Sequence, residues 1–200
     1  MTNYNAVSKD SALSRVIPSR VDGEEPPAQE RESLRRREIL RRLTRLRMTP
    51  GVDCSAMKYI ESRTRVRYKE TDQMGIAHHS NYIVWFEIGR TDLCRATGIP
   101  YAEIERRGYI LVVTEIGCRY RTPFRYDDEV LIRTSVGEMG SRLMKFTYEL
   151  FDAEGREKRA NGFSAHVWLD LQSRKPVRAD AEVVRAFEAF LAETQRRPGA

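Results

Sequence analysis

From residue 58 onward the chain is written in regular alternations of apolar and polar positions. Arg63 to Glu70 sets Val66 and Tyr68 between charged neighbours, a period of two that predicts a strand. A glycine-containing loop, Thr71 to Gly75, follows. From about Asn81 to Thr97 the period changes to that of a helix, with Tyr82, Trp85, Phe86, Gly89, Leu93 and Ala96 on one face and Ile83, Val84 and Ile88 on its flanks. Such a helix, apolar nearly all round in its first turns, should be buried. Gly98 can end it, Pro100 can open a short second helix to about Arg107, and Gly108 stops that one.

Four strand patterns then run in succession. Tyr109 to Arg121 alternates Ile116, Cys118 and Tyr120, and Pro123 to Asp128 turns the chain. Glu129 to Glu138 alternates Val130, Ile132 and Val136. After Gly140-Ser141, Leu143 to Phe151 alternates Met144, Phe146, Tyr148 and Leu150. After Glu154-Gly155, Lys158 to Leu171 alternates Phe163, Ala165, Val167 and Leu169, leaving His166 on the polar face. An amphipathic helix from about Asp180 to Gln195 closes the pattern through Val183, Val184, Phe187, Phe190 and Leu191. Short turns and a period of two predict an antiparallel meander with one dry face. One sheet and one buried helix predict an α+β domain in which the sheet wraps the helix.

The segment before residue 58 differs. Residues 1 to about 30 are polar and read as disordered. Residues 31–48 carry Leu34, Ile39, Leu40, Leu43 and Leu46 on a loose helical stripe that Thr49-Pro50-Gly51 breaks. Three readings stand for it: a solvated tail, an upstream start site (Met57 directly precedes the first strand), or a helix making weak contact with an anionic surface. The expected division is a flexible basic extension, 1–57, and one domain, 58–196. The net charge is +6. Eight arginines and two glutamates within 31–48 account for all of it, so a basic nucleic-acid-binding domain is not expected. No apolar run is long enough to predict a transmembrane helix. The first 30 residues lack the apolar core of a secretory signal, and three scattered cysteines make no disulfide framework, so a cytoplasmic location is expected.

The chemistry concentrates between Tyr68 and Tyr82. Asp72 stands at a strand end, Gly75 three residues later, and His78, His79 and Asn81 meet the start of the buried helix. A thioester carbonyl needs a donor for its developing oxyanion, which free N–H groups at a helix start supply. It also needs a carboxylate that attacks it or activates water, which Asp72 supplies as nucleophile or base. Plainer readings stand beside these: Asp72 as a turn cap, His79 as a group orienting Asp72, His78 as a pocket wall, Asn81 as a helix cap, and Glu87 with Arg90 as an i,i+3 pair. His166 reads as structural. Asp72, His78 and His79 fall within one short loop, so no metal site is expected.

The string Thr71-Asp72-x-x-Gly75-x-x-x-His79-x-Asn81-Tyr82 resembles the 4-hydroxybenzoyl-CoA thioesterase group of hotdog proteins. Phe86-Glu87-x-x-Arg90-Thr91 and Tyr126-Asp127-Asp128 support the resemblance, which spans roughly residues 60–180. It implies a five-stranded antiparallel sheet around a central helix, a homodimer or homotetramer, and hydrolysis of an acyl-CoA without cofactor or metal. By the resemblance, Asp72 matches the catalytic carboxylate and His79 the residue whose N–H polarises the carbonyl. Gly75, His78, Asn81 and Tyr82 then belong to the substrate site. Ser141, Arg142, Lys175 and Arg178 fall where members often contact CoA phosphates. Relatives often have an aromatic residue in place of His78, which touches the acyl pocket rather than the chemistry. Three rivals are a hydratase or dehydratase of acyl thioesters, a module that binds acyl-CoA without catalysis, and an adaptor acting through the basic tail. The first usually spaces Asp and His four apart, against six and seven here.

Overall fold

The computed structural model describes residues 57–192 and, apart from them, Pro27. The expectations for the basic segment 31–48, for the rest of the extension and for the last helix beyond residue 192 lie outside the described residues.

Strand β1 spans Tyr59–Arg65, starting and ending earlier than the pattern of Val66 and Tyr68 predicts. The reason is local. Tyr68–Glu70 forms one turn of 3-10 helix, because the Arg67 amide donates to Glu70 Oε2 at 2.8 Å and its guanidinium to Oε1. Such short-range bonds compete with a ladder. Burial alone would raise the Glu70 carboxyl, but the Arg67 hydrogen bonds and charge outweigh it and hold its pKa below the usual range. Val66 still reaches the core, whereas Tyr68 points to solvent.

Helix α1, Asn81–Ala96, is the central helix. It buries Tyr82, Trp85, Phe86, Gly89 and Leu93 as the spacing predicts, with Cys94 buried where Ala96 was expected. Burial pushes the Cys94 thiol up to about 11. Helix α2 is Tyr101–Arg106. Strands β2 (Tyr109–Tyr120), β3 (Glu129–Met139), β4 (Leu143–Phe151) and β5 (Lys158–Asp170) follow, then helix α3, Ala181–Ala192. The five strands form one sheet in the order β1-β3-β4-β5-β2, with antiparallel pairing throughout.

The meander therefore holds only for β3, β4 and β5. β2 lies on the outer side of β5, and the chain crosses the end of the sheet to start β3. The crossing is made by Pro123 to Asp128 and is pinned by Phe124, which is fully buried and packs edge-on against Trp85 at 5.6 Å. Aromatic anchors of this kind contribute more than their area alone.

The helix lies directly on the sheet. A Cβ on Gly89 would sit 2.2 Å from Thr134 Oγ1 and 2.9 Å from Ile132 Cγ2, so only glycine permits this approach. Phe86 stacks on Tyr148 at 4.3 Å and 7°, over small residues of β5 that include Gly162. On β5 the predicted faces are reversed. Register places Ser164, His166 and Trp168 on the side of β4 that carries Phe146 and Met144, toward the core. Phe163, Ala165 and Val167 are buried on the opposite side. Both faces of β5 are covered, so its alternation carries no contrast to read. Among the described residues no helix is long and apolar enough to cross a membrane.

Candidate active site

The loop after the 3-10 turn is closed by a bridge between Thr71 and Ala77. Asp72 sits at its base, with its amide donating to Ile76 O at 3.0 Å and its carbonyl accepting from Gly75 N at 3.0 Å. Gly75 has φ +70, the left-handed conformation that favours glycine. Asp72 Oδ1 accepts from the Met74 amide at 2.8 Å. The turn-cap reading is thus fulfilled by one carboxylate oxygen. The other has no hydrogen bond among the described residues.

The start of α1 is held to this loop from several sides. His78 N donates to Glu70 O at 2.8 Å. Asn81 Nδ2 donates to the same Glu70 carbonyl at 2.8 Å and to His78 O at 3.2 Å, and Asn81 N also donates to His78 O. The Asn81 amide nitrogen therefore ties the 3-10 turn to the helix start, and Ser80, rather than Asn81, is the residue preceding the first turn. His78 Nδ1 is 2.8 Å from Ser80 Oγ, and its ring lies against that of His79 at 4.0 Å. The His79 amide N–H finds no acceptor among the described residues.

Asp72, His79 and Tyr82 line one cavity of about 270 Å³, together with Met74, Ile76 and Tyr120. Tyr82 is buried, and its hydroxyl accepts weakly from the Phe124 amide at 3.5 Å. Tyr120 is the last residue of β2, and its hydroxyl donates to His79 O at 3.1 Å. Sequence reading counted Tyr120 only among alternating apolar positions. The available signal was its type, an aromatic with a polar tip just before a proline turn. Glu87 and Arg90 form the expected i,i+3 pair, at 4.0 Å. Among the described residues no cluster of three or more His, Cys, Asp or Glu side chains is arranged to hold a metal ion.

The predicted phosphate contacts lie elsewhere. Ser141 and Arg142 form the β3–β4 turn; Trp168 N of β5 donates to Arg142 O, and the chain after β5 folds back so that Ala179 N donates to Ser141 O. Arg142, Lys175 and Arg178 are exposed. They gather at the end of the sheet where β3 finishes, whereas the Asp72 loop lies where β3 begins: Ala77 N donates to Phe124 O and Val66 N to Asp128 O. The 11 residues of β3 put roughly 33 Å between the two ends. One subunit does not unite them.

Asp72 and His79 thus line one cavity whose wall is mostly apolar. The family profile described as the thioesterase-like superfamily matches residues 66–187. The chain belongs to this superfamily. Its relatives include a Bacillus subtilis protein named "Putative acyl-CoA thioesterase YneP", 33% identical over 121 residues, which are 60% of this chain and 87% of that protein. The solved structure of protein TT1821 from Thermus thermophilus is 35% identical with a TM-score of 0.62, covering 65% of this chain and 98% of that one. That of a DHNA-CoA thioesterase from Staphylococcus aureus is 30% identical with a TM-score of 0.63, covering 66% and 89%. The two solved structures match the fold of this chain, the five-stranded sheet around a central helix.

Proposed function

We propose that the protein hydrolyses an acyl-CoA thioester to a free acid and CoA, in the cytoplasm. The observation that carries this reading is the cavity that Asp72 and His79 share, beside a His79 N–H with no acceptor among the described residues. The thioester carbonyl oxygen accepts from the His79 N–H, which is worth about 10²–10³ in rate for a donor that meets the developing charge. Asp72 acts on the carbonyl carbon in one of two ways. As base, it takes a proton from water while the water oxygen bonds to carbon; the C–S bond then breaks and the carboxyl returns its proton to the departing thiolate. As nucleophile, its free oxygen bonds to carbon, thiolate leaves, and water cleaves the resulting anhydride.

A second copy supports the substrate. β2 is an edge strand, and Val113, Ile116 and Tyr120 on its core side are 47%, 39% and 47% exposed. An edge this long invites pairing. A copy paired antiparallel along β2 carries its own Arg142, Lys175 and Arg178 toward the Asp72 end of the first. CoA then lies across the junction, with its phosphates on one subunit and its thioester on the other.

The test is thiol release from a panel of short, medium, long and aromatic acyl-CoAs. Wild-type protein should turn over at least one of them, and Asp72→Ala should lose at least about 10³-fold in kcat with unchanged melting. Full activity in that variant removes the mechanism. A single turnover in ¹⁸O-water separates the two routes. Label in the Asp72 carboxylate marks the nucleophile; label in the acid alone marks the base or water attack on the acyl side of the anhydride, and trapping of the anhydride by hydroxylamine then separates those two.

A further inference from the structure

We propose that Tyr120 is a positioning residue, holding the His79 backbone so that its N–H faces the thioester; this rests on the thioesterase reading above. The Tyr120 hydroxyl donates to His79 O at 3.1 Å, while the carbonyl on the other side of His79, that of His78, accepts from both Asn81 nitrogens. The two peptides flanking the His79 α-carbon are therefore each held by a donor. A trans peptide points its N–H opposite to its carbonyl. Pinning His78 O from the Asn81 side turns the His79 N–H away from Asn81, and pinning His79 O stops rotation about the next bond. Neither α1 nor the Asp72 loop supplies the second grip. It comes from the last residue of β2, 41 positions along the chain from His79.

The phenol suits the task. Its ring stands edge-on to Tyr82 at 4.9 Å and 90°, so the hydroxyl is delivered from a fixed direction. Burial, with the neighbouring Cys118 and Tyr82, pushes its pKa up to about 12, so it remains a donor across the range in which a carboxylate base works. The ring also lines the cavity that Asp72 and His79 share. Any movement of β2, on the sheet edge, is thereby passed to the amide.

Tyr120→Phe removes the hydroxyl and keeps the ring against Tyr82. The expected result is a fall in kcat of about tenfold, the size of one neutral hydrogen bond expressed in the barrier, with KM changed less than about twofold. Melting should be unchanged. Amide hydrogen exchange at Asn81, whose N–H is bonded to His78 O, should speed up by a similar factor. A purely structural tyrosine would leave kcat intact, and a substrate-binding one would raise KM instead. Unchanged exchange at this amide overturns the inference, as does faster exchange with wild-type kcat. The exchange arm needs no substrate. If no acyl thioester is turned over by wild-type protein, the thioesterase reading fails by itself and exchange still decides whether the phenol holds His79.

Discussion

His166 shows what a single buried side chain costs this fold. Its Nε2 lies 2.7 Å from Ser164 Oγ, which lies 2.7 Å from the Tyr148 hydroxyl. Its Nδ1 is buried, with the Leu111 backbone as its neighbour. Burial, reinforced by the nearby Arg90 charge, lowers its pKa from 6.5 to about 3. The native state thus holds this imidazole neutral where the unfolded chain protonates it. Between about pH 6.5 and pH 3 the unfolded state binds more protons, so stability falls as pH falls, by up to about 1.4 kcal/mol per pH unit from this residue. Urea unfolding of wild type and His166→Gln at pH 7 and pH 5 checks this. The variant should show a flatter loss on acidification, and equal slopes would deny it. Nothing in the alternation of β5 distinguishes His166 from a surface residue. Its burial comes from α1 and β4, which the local sequence does not show.

The central helix and its strands depend on close approach at particular glycines. Gly89 sits on Thr134 and Ile132 without room for a methyl group. Gly89→Ala, which raises helix propensity by about 1 kcal/mol, should nevertheless destabilise the fold by about 1–3 kcal/mol through overpacking. Chemical denaturation measures the net sign, and a more stable variant would show that α1 can lift off the sheet. Element types were largely legible: α1 begins at Asn81 as its period predicts, and four strands follow α2, their bounds within a few residues of those predicted. The end of β1 was not, because the Arg67–Glu70 pair wins over the alternation of Val66 and Tyr68. Nor was the place of β2, since a period of two gives a strand its faces and not its neighbours.

At the scale of the molecule, the question is what lies against β2. The pairing along β2 proposed above rests on its exposed Val113 and Ile116 and on the separation of Arg142 from Asp72. Ile116→Lys should convert a dimer to monomer in sedimentation equilibrium and lower thiol release by more than about tenfold, with Asp72 untouched. A monomeric wild-type protein of full activity would contradict the shared site. The sequence by itself determined which segments are helix and strand, that one helix is enclosed, and that Asp72, Gly75, His79 and Asn81 stand together at its entrance. Those facts depend on period, on turn chemistry and on residues within a dozen positions of one another. The tertiary structure alone decided that Tyr120 meets His79, that His166 is interior, and that the basic turn lies far from the carboxylate. Each of those depends on strand order and on which face meets the helix, which arise from packing between distant segments and leave no mark in any local stretch of chain.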